Sequence, residues 1–141
     1  MSAPDEWLET VRGWVAKADN DLTAAAQILK LGPECPADTV CFHVQQCVEK
    51  YFNALLVAKR LDFPKTHDLN ALARLRPEAL LGLMDDLQRR RMTEYATVIR
   101  YPNEDSAIPV TEARKAVATA RRIRRAIRLL LPRASLRRRK K

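Results

Sequence analysis

The sequence has little glycine and no long apolar run. The first feature favours a helical protein, and the second speaks against a membrane-spanning helix. Only three of its 141 residues are glycine, whereas Ala, Leu and Arg dominate, as they do in helical proteins. The longest apolar runs are a few residues, far below the roughly 20 that cross a bilayer. The acidic start "MSAPDEWLET" is unlike the basic start of a signal peptide. We therefore expect an all-α, cytoplasmic protein without a membrane segment.

Cysteine is also sparse, and its pattern speaks against a metal or redox site. Cys35, Cys41 and Cys47 are odd in number and form no CxxC pair. Two of them have apolar neighbours in a helical pattern, which favours buried free thiols. His43 and Cys47 are four residues apart, a spacing that can hold zinc, but no second pair of ligands is evident. We predict no metal and no cofactor.

Acidic residues are absent from the last part of the chain. Up to Glu112 there are 13 Lys or Arg and 17 Asp or Glu, and after it there are 13 basic residues and no acidic one. The whole positive excess of the chain, which has a net charge of +9, therefore lies at its C-terminal end.

Apolar residues recur every three or four positions in four long segments, which is the pattern of amphipathic helices. The segments run from Asp5 to Leu31, from about Ala37 to Leu61, from Pro77 to about Ile99 and from Thr111 to about Leu131. Such helices joined by short loops pack as an antiparallel bundle that buries their apolar stripes against one another.

The stretch "KTHDL", residues 65–69, predicts the start of a short fifth helix. This helix would run from His67 to about Leu75, with Thr66 as its N-cap and Asp68 in its first turn, where the helix dipole favours negative charge. We therefore expect one domain, residues 1–131, made of an up-and-down bundle of four long helices and one short helix. The basic residues 132–141 read as a disordered tail.

Three ordered motifs carry a resemblance to a known family. They are "HVQQCVEKYFNALL", "KTHDL" and "RYP", followed by "TEARKAVATA". Over roughly residues 7 to 130 the chain resembles the HEPN family, the higher eukaryote and prokaryote nucleotide-binding domain. The resemblance implies a helical bundle that is frequently dimeric. It also implies a gene beside a minimal nucleotidyltransferase, in a two-component module of the toxin–antitoxin kind.

Several branches of this family are ribonucleases that carry an arginine, then four to six residues, then a histidine. Arg100 fits the arginine, but no histidine follows His67 anywhere in the chain. Metal-independent RNA cleavage needs a proton acceptor and a proton donor, and Asp105 would be a poor donor at pH 7.

The sequence therefore predicts a nucleotide-binding, nucleic-acid-binding or partner-binding HEPN protein with a degenerate ribonuclease motif. One alternative is a divergent ribonuclease that uses Arg100, with Asp105 or His67 as the base. Another is a purely structural helical scaffold.

The loop after the fourth predicted helix is the first candidate ligand site. Arg100 could bind a phosphate through two parallel hydrogen bonds, and Tyr101 could stack on a ligand or donate a hydrogen bond from its hydroxyl. Alternatively, Arg100 caps helix carbonyls and pairs with Glu104 or Asp105. His67 either lies near Arg100 and binds a phosphate or a partner, or it holds the loop before the short helix against the bundle.

A polar ridge on the second helix is another candidate, since His43, Gln46 and Lys50 project from one side at spacings of three and four. The ridge could contact a ligand, the solvent or a dimer mate. Some apolar residues lie off the main stripe of this helix, and we expect them to leave apolar surface for a partner. These residues are Cys41, Phe42, Val48 and Phe52.

The basic C-terminal end is the strongest physical signal apart from the resemblance. A cluster of this kind attracts polyanions by releasing counterions, and its affinity falls steeply with salt. The alternative is a solvated face that balances the acidic first 112 residues or pairs with an acidic neighbour. We expect RNA, another polyanion or an acidic protein as the partner. With Arg114, the candidate residues are Arg121, Arg124, Arg125, Arg128, Arg137, Arg138, Arg139, Lys140 and Lys141.

Overall fold

The computed structural model describes residues 2–102 and 107–137, apart from the side chain of Arg100, and these residues form a helical bundle. Its α-helices are α1 (Ala3–Leu29), α2 (Ala37–Ala58), α3 (Leu69–Ala73), α4 (Pro77–Leu80), α5 (Asp86–Ala96) and α6 (Val110–Arg128). Short 3-10 turns follow at Gly32–Glu34, Leu81–Leu83, Val98–Arg100 and Arg133–Leu136. The predicted all-α class is confirmed. Among the described helices, none is long and apolar enough to cross a membrane.

Helix α2 is the centre of the bundle, because α1, α6, α5 and α3 all pack against it. The start of α1 meets the end of α2, where the indole nitrogen of Trp7 donates a hydrogen bond of 2.8 Å to the carbonyl of Val57. Helix α1 therefore runs antiparallel to α2. Gly32, with φ of 80°, and Pro33 follow the end of α1 and turn the chain towards α2.

The apolar residues off the main stripe of α2 are inside the chain, which corrects one expectation. Cys41, Val48 and Phe52 are fully buried within the monomer, and Phe42 is half-buried. Because neighbouring helices surround α2, it has almost no solvent face on which apolar surface could remain. The interpretation that these residues offer a surface to a partner is therefore wrong for the three buried ones.

The predicted fourth helix, Pro77 to Ile99, is broken, so that prediction was wrong in its extent. Helix α4 ends at Leu80, and α5 begins after Asp85. Asp85 accepts a hydrogen bond of 2.7 Å from the backbone nitrogen of Gln88, whose side chain accepts one of 2.9 Å from the backbone nitrogen of Asp85. This capping box starts a new helix and overrides the continuing apolar stripe.

A buried arginine fixes the break between α4 and α5. The guanidinium of Arg89 donates to the carbonyl oxygens of Leu81 and Met84 and to the side-chain oxygen of Asn70. The carbonyls that the break releases from helical hydrogen bonds are thus satisfied inside the protein. Arg89 is structural and is not available to a ligand.

The short helix after "KTHDL" starts two residues later than predicted. Its N-cap is Asp68, whose carboxylate accepts from the backbone nitrogens of Asn70 and Ala71 at 2.9 and 3.3 Å. The hydroxyl of Thr66 accepts from the backbone nitrogen of Asp68 instead. Thr66 is therefore not the N-cap, and His67 precedes the helix, because the Asp68 carboxylate reaches two free N–H groups.

The first residues of the expected tail lie against the bundle. Residues 133–136 form a 3-10 turn, Ser135 is buried, and Arg12 of α1 donates to the carbonyl oxygen of Ala134 at 2.5 Å. Arg137 is exposed, whereas Arg138, Arg139, Lys140 and Lys141 lie outside the described residues.

We predict that Asp85→Ala destabilises the protein by about 1 kcal/mol, because it removes the N-cap of α5. Urea denaturation followed by circular dichroism measures this change. The matched control is Asp62→Ala, which removes an exposed carboxylate that caps no helix. Equal stability of the two variants would contradict the role of the capping box.

Candidate nucleic-acid interface

Helix α6 is apolar on the side that faces the bundle and basic on the side that faces solvent. Its inward residues are small or β-branched and allow close packing on α2. They are Ala113, Ala116, Val117, Ala120, Ile123 and Ile127. Because arginine forms helix well, the remaining positions can carry many positive charges without loss of helical propensity.

Five basic side chains form what we call the outer face of α6. All five are exposed, and none forms an ion pair with a residue that the structure describes. With 1.5 Å of rise per residue, they extend over roughly 16 Å of the helix. They are Arg114, Lys115, Arg121, Arg122 and Arg125.

Arg124 and Arg128 belong to a different set, although no sequence pattern separates them from the other arginines of α6. The Nε atom of Arg124 donates to Asp19 of α1 at 2.8 Å, and Arg128 lies 3.7 Å from the same carboxylate. The buried hydroxyl of Tyr51 on α2 also donates to Asp19. The hydrogen bond to Asp19 raises the pKa of Arg124, and burial, followed by Asp19, raises the pKa of Tyr51. These arginines hold helices together.

A cleft of about 460 Å³ lies beside this ion pair, between α1 and α6. Its walls are one stripe from each helix, at spacings of three and four residues. They comprise Asp19, Leu22, Thr23 and Ala26 of α1, with Arg121, Arg124 and Arg125 of α6. We call this feature the arginine cleft.

The predicted Arg100 site is described only in part. Arg100 ends the 3-10 turn Val98–Arg100, and its side chain lies outside the described part, as do Glu104 and Asp105. Tyr101 is 65% exposed and lines a cavity of about 610 Å³ that also includes Asp38 at the start of α2.

His67 contacts the middle of α2. Its Nδ1 atom lies 2.7 Å from the carboxylate of Glu49, and its carbonyl oxygen accepts from the side chain of Gln45 at 3.0 Å. Gln45 also donates to Glu49 at 3.1 Å, and both are buried. Gln45 and Glu49 follow Asp38 by seven and eleven residues, or roughly 10 to 16 Å along the helix. The structure therefore joins His67 to Glu49 and does not bring it to Tyr101.

The predicted polar ridge connects α2 to α1. His43 and Lys50 share Asp21 of α1, with Nδ1 of His43 at 2.9 Å and Nζ of Lys50 at 2.5 Å from its carboxylate oxygens. Gln46 donates to the side-chain oxygen of Gln45 at 2.7 Å. All three predicted ligand residues are thus half-buried and engaged within the chain.

Glu112 at the start of α6 forms an anchor that the sequence analysis missed. Two nitrogens of Arg91 lie 2.8 and 3.1 Å from its two oxygens, and the hydroxyl of Tyr95 donates to it. Arg91 lowers the pKa of Glu112, whereas burial, followed by Glu112, raises the pKa of Tyr95. Tyr95 is a buried residue on the apolar stripe of α5, and helical periodicity does not indicate that its hydroxyl bonds to a carboxylate.

Burial makes Cys41 and Cys47 poor nucleophiles at neutral pH. All three cysteines are buried and free, and burial raises the pKa of Cys41 and of Cys47 to about 12. Both thiols therefore stay protonated and weakly nucleophilic. In the part of the chain that the structure describes, no three His, Cys, Asp or Glu side chains come together as metal ligands would.

The comparisons with known proteins support one family. A sequence model described as the HEPN domain matches residues 11–130, which is most of the chain. No curated protein and no solved structure matches the chain.

We predict that Glu112→Gln lowers the stability more at pH 7 than at pH 3. Because folding lowers the pKa of Glu112 from its ordinary value of 4.5, its stabilising effect is full above that value and is lost as the pH falls through the folded pKa. Urea denaturation at both pH values measures the gap between variant and wild type. Glu34→Gln, at an exposed carboxylate, is the control. A gap that widens on acidification would contradict the role of the Arg91 pair.

Proposed function

The chain belongs to the HEPN domain family, and we propose that it is a cytoplasmic, non-catalytic member that binds RNA along the outer face of α6. One observation carries this proposal. The outer face presents five exposed basic side chains without an ion pair to any described residue. Such charges release counterions when they meet phosphates, and this release drives binding.

The distribution of acidic groups favours this face over the rest of the surface. Residues up to Glu112 carry more acid than base, so most of the molecule repels a polyanion. Among the described residues, Glu112 in the first turn of α6 is paired with Arg91, and Asp19, which lies against α6, is paired with Arg124. These two carboxylates therefore do not neutralise the outer face, and RNA has one favourable direction of approach.

The proposal includes binding without cleavage. The chain has no histidine beyond His67, and Nδ1 of His67 is held by Glu49, away from Tyr101. A ribonuclease of the family's usual kind needs a histidine beside its arginine to move protons near neutral pH. Without one, bound RNA stays intact.

We also propose that the protein is a homodimer and works with a nucleotidyltransferase-type partner in a two-component, toxin–antitoxin-like module. The support is membership of the family, in which this organisation is frequent. Light scattering of the purified protein would give its mass in solution. Co-expression with the product of a neighbouring nucleotidyltransferase gene would show whether the two chains purify together.

We predict that Arg114→Ala with Arg122→Ala weakens binding to a 20-nucleotide single-stranded RNA about tenfold at 150 mM salt. It also lowers the slope of log affinity against log salt by about 1.4, because two phosphate contacts are lost. Fluorescence anisotropy across a salt series measures both quantities.

The control for this experiment is Lys17→Ala with Lys30→Ala. It removes the same charge from exposed positions outside α6, and it should change affinity little. If the wild type does not bind at 50 mM salt, or if both pairs weaken binding equally, the outer face is not the RNA site.

We predict that total RNA stays intact when it is incubated with the purified protein and that Arg100→Ala behaves in the same way. Gel electrophoresis over several hours tests this. Degradation by the wild type that disappears in Arg100→Ala would instead support a divergent ribonuclease.

A further inference from the structure

The arginine cleft differs from the outer face because its positive charges line one wall of a concave space. Arg121, Arg124 and Arg125 occupy neighbouring positions on one side of α6 and line the cleft together. Arg121 and Arg125 also belong to the outer face, so the cleft opens beside the path proposed for RNA. Two of the three guanidiniums, those of Arg121 and Arg125, have no ion pair within the described residues.

Asp19 makes this cleft a defined site. It accepts a hydrogen bond of 2.8 Å from Nε of Arg124, which holds that guanidinium at the wall of the cleft. Asp19 is itself held by the hydroxyl of Tyr51 from the buried side. An arginine positioned in this way loses little side-chain entropy when it binds an anion.

The charge of the cleft matches a particular kind of phosphate. Its three arginines and one aspartate give a net charge of +2. A phosphodiester inside an RNA chain carries one negative charge. A terminal phosphate monoester carries about 1.5 to 2 negative charges near pH 7 and offers three terminal oxygens. Guanidinium groups bind such oxygens in bidentate pairs.

The other wall suits a nucleoside next to that phosphate. Leu22 and Ala26 offer an apolar surface, and the exposed Thr23 carries a hydroxyl. A volume of about 460 Å³ falls within the range of small-molecule sites. Unpaired bases stack on arginine guanidinium planes, and enzymes that bind a flipped base also enclose it between aromatic or apolar side chains.

We propose that the arginine cleft binds the 5′-terminal phosphate monoester of an RNA chain, with the first nucleoside against Leu22 and Ala26. This inference rests on the proposed function, because the outer face must hold the RNA that follows the terminus. The protein then prefers RNA with a 5′-phosphate to the same RNA with a 5′-hydroxyl. Internal phosphates contact the outer face in both cases.

The experiment compares two RNAs of one sequence, with a 5′-phosphate or a 5′-hydroxyl and a fluorophore at the 3′ end. We expect wild-type protein to bind the 5′-phosphate form about tenfold more tightly in anisotropy at 150 mM salt, owing to the additional charge-assisted hydrogen bonds. Arg121→Gln with Arg125→Gln should reduce this ratio to about 1. Arg114→Gln with Arg122→Gln removes the same charge outside the cleft and should leave the ratio unchanged.

Two outcomes of the binding experiment would overturn the proposal, and one further measurement checks the fold of the variants. Equal binding of both RNAs by the wild type overturns the terminal-phosphate site and leaves the RNA-binding proposal standing. Binding of neither RNA overturns both. Melting curves of all variants by circular dichroism should coincide with that of the wild type, since the replaced arginines form no ion pair with a described residue.

A competitor identifies the source of the phosphate. AMP should displace the 5′-phosphate RNA only at concentrations at least tenfold above the Kd of that RNA, because AMP lacks the contacts to the outer face. Adenosine, which has no phosphate, should not displace the RNA. If AMP binds as tightly as the RNA, the cleft is a site for free mononucleotides and the terminal-RNA assignment is wrong.

Discussion

The carboxylate of Asp19 is the constraint on which the arrangement of this protein depends. It joins three helices, because it accepts from Tyr51 of α2 and Arg124 of α6 while belonging to α1. Arg128 lies near the same carboxylate. A partly buried carboxylate needs such partners, since an unpaired charge away from water is costly. The rotation of α6 about its axis is thereby fixed, and with it the direction in which every other arginine of the helix points.

A second carboxylate fixes the other end of α6. In the first turn of α6, Glu112 accepts hydrogen bonds from Arg91 and Tyr95 of α5. Near the end of α6, Arg124 donates a hydrogen bond to Asp19 of α1. An acidic residue in the first turn also suits the helix dipole. Between the two anchors, α6 packs on α2 through apolar residues, and the five basic side chains of the outer face form no ion pair with a residue that the structure describes. The carboxylates of Asp19 and Glu112 thus orient α6, and the basic side chains of its outer face point to solvent.

Local patterns predicted the helices well, but they did not predict which polar groups meet. Apolar periodicity placed α1, α2 and α6 to within about three residues of their observed ends. The break before α5 was missed because the capping box at Asp85 and Gln88 overrides a stripe that continues past it. Asp19 and Arg124 are 105 residues apart, so nothing in either neighbourhood indicates the other. Their pairing follows only from the packing of α1 on α6.

This pairing shows why a count of basic residues is a poor measure of a nucleic-acid site. Arg124 and Arg128 are arginines close to Arg121 and Arg125 on the same helix. Their guanidinium groups nevertheless contact Asp19 and connect α6 to α1. The difference is which side chain reaches Asp19: Arg124 and Arg128, one turn apart, approach its carboxylate. Arg121 and Arg125 lie on the same side of the helix but form no ion pair with a described residue. The positive charge that attracts an anion is the charge that no carboxylate of the folded chain neutralises. In α6 that charge is concentrated on the outer face and at the mouth of one cleft.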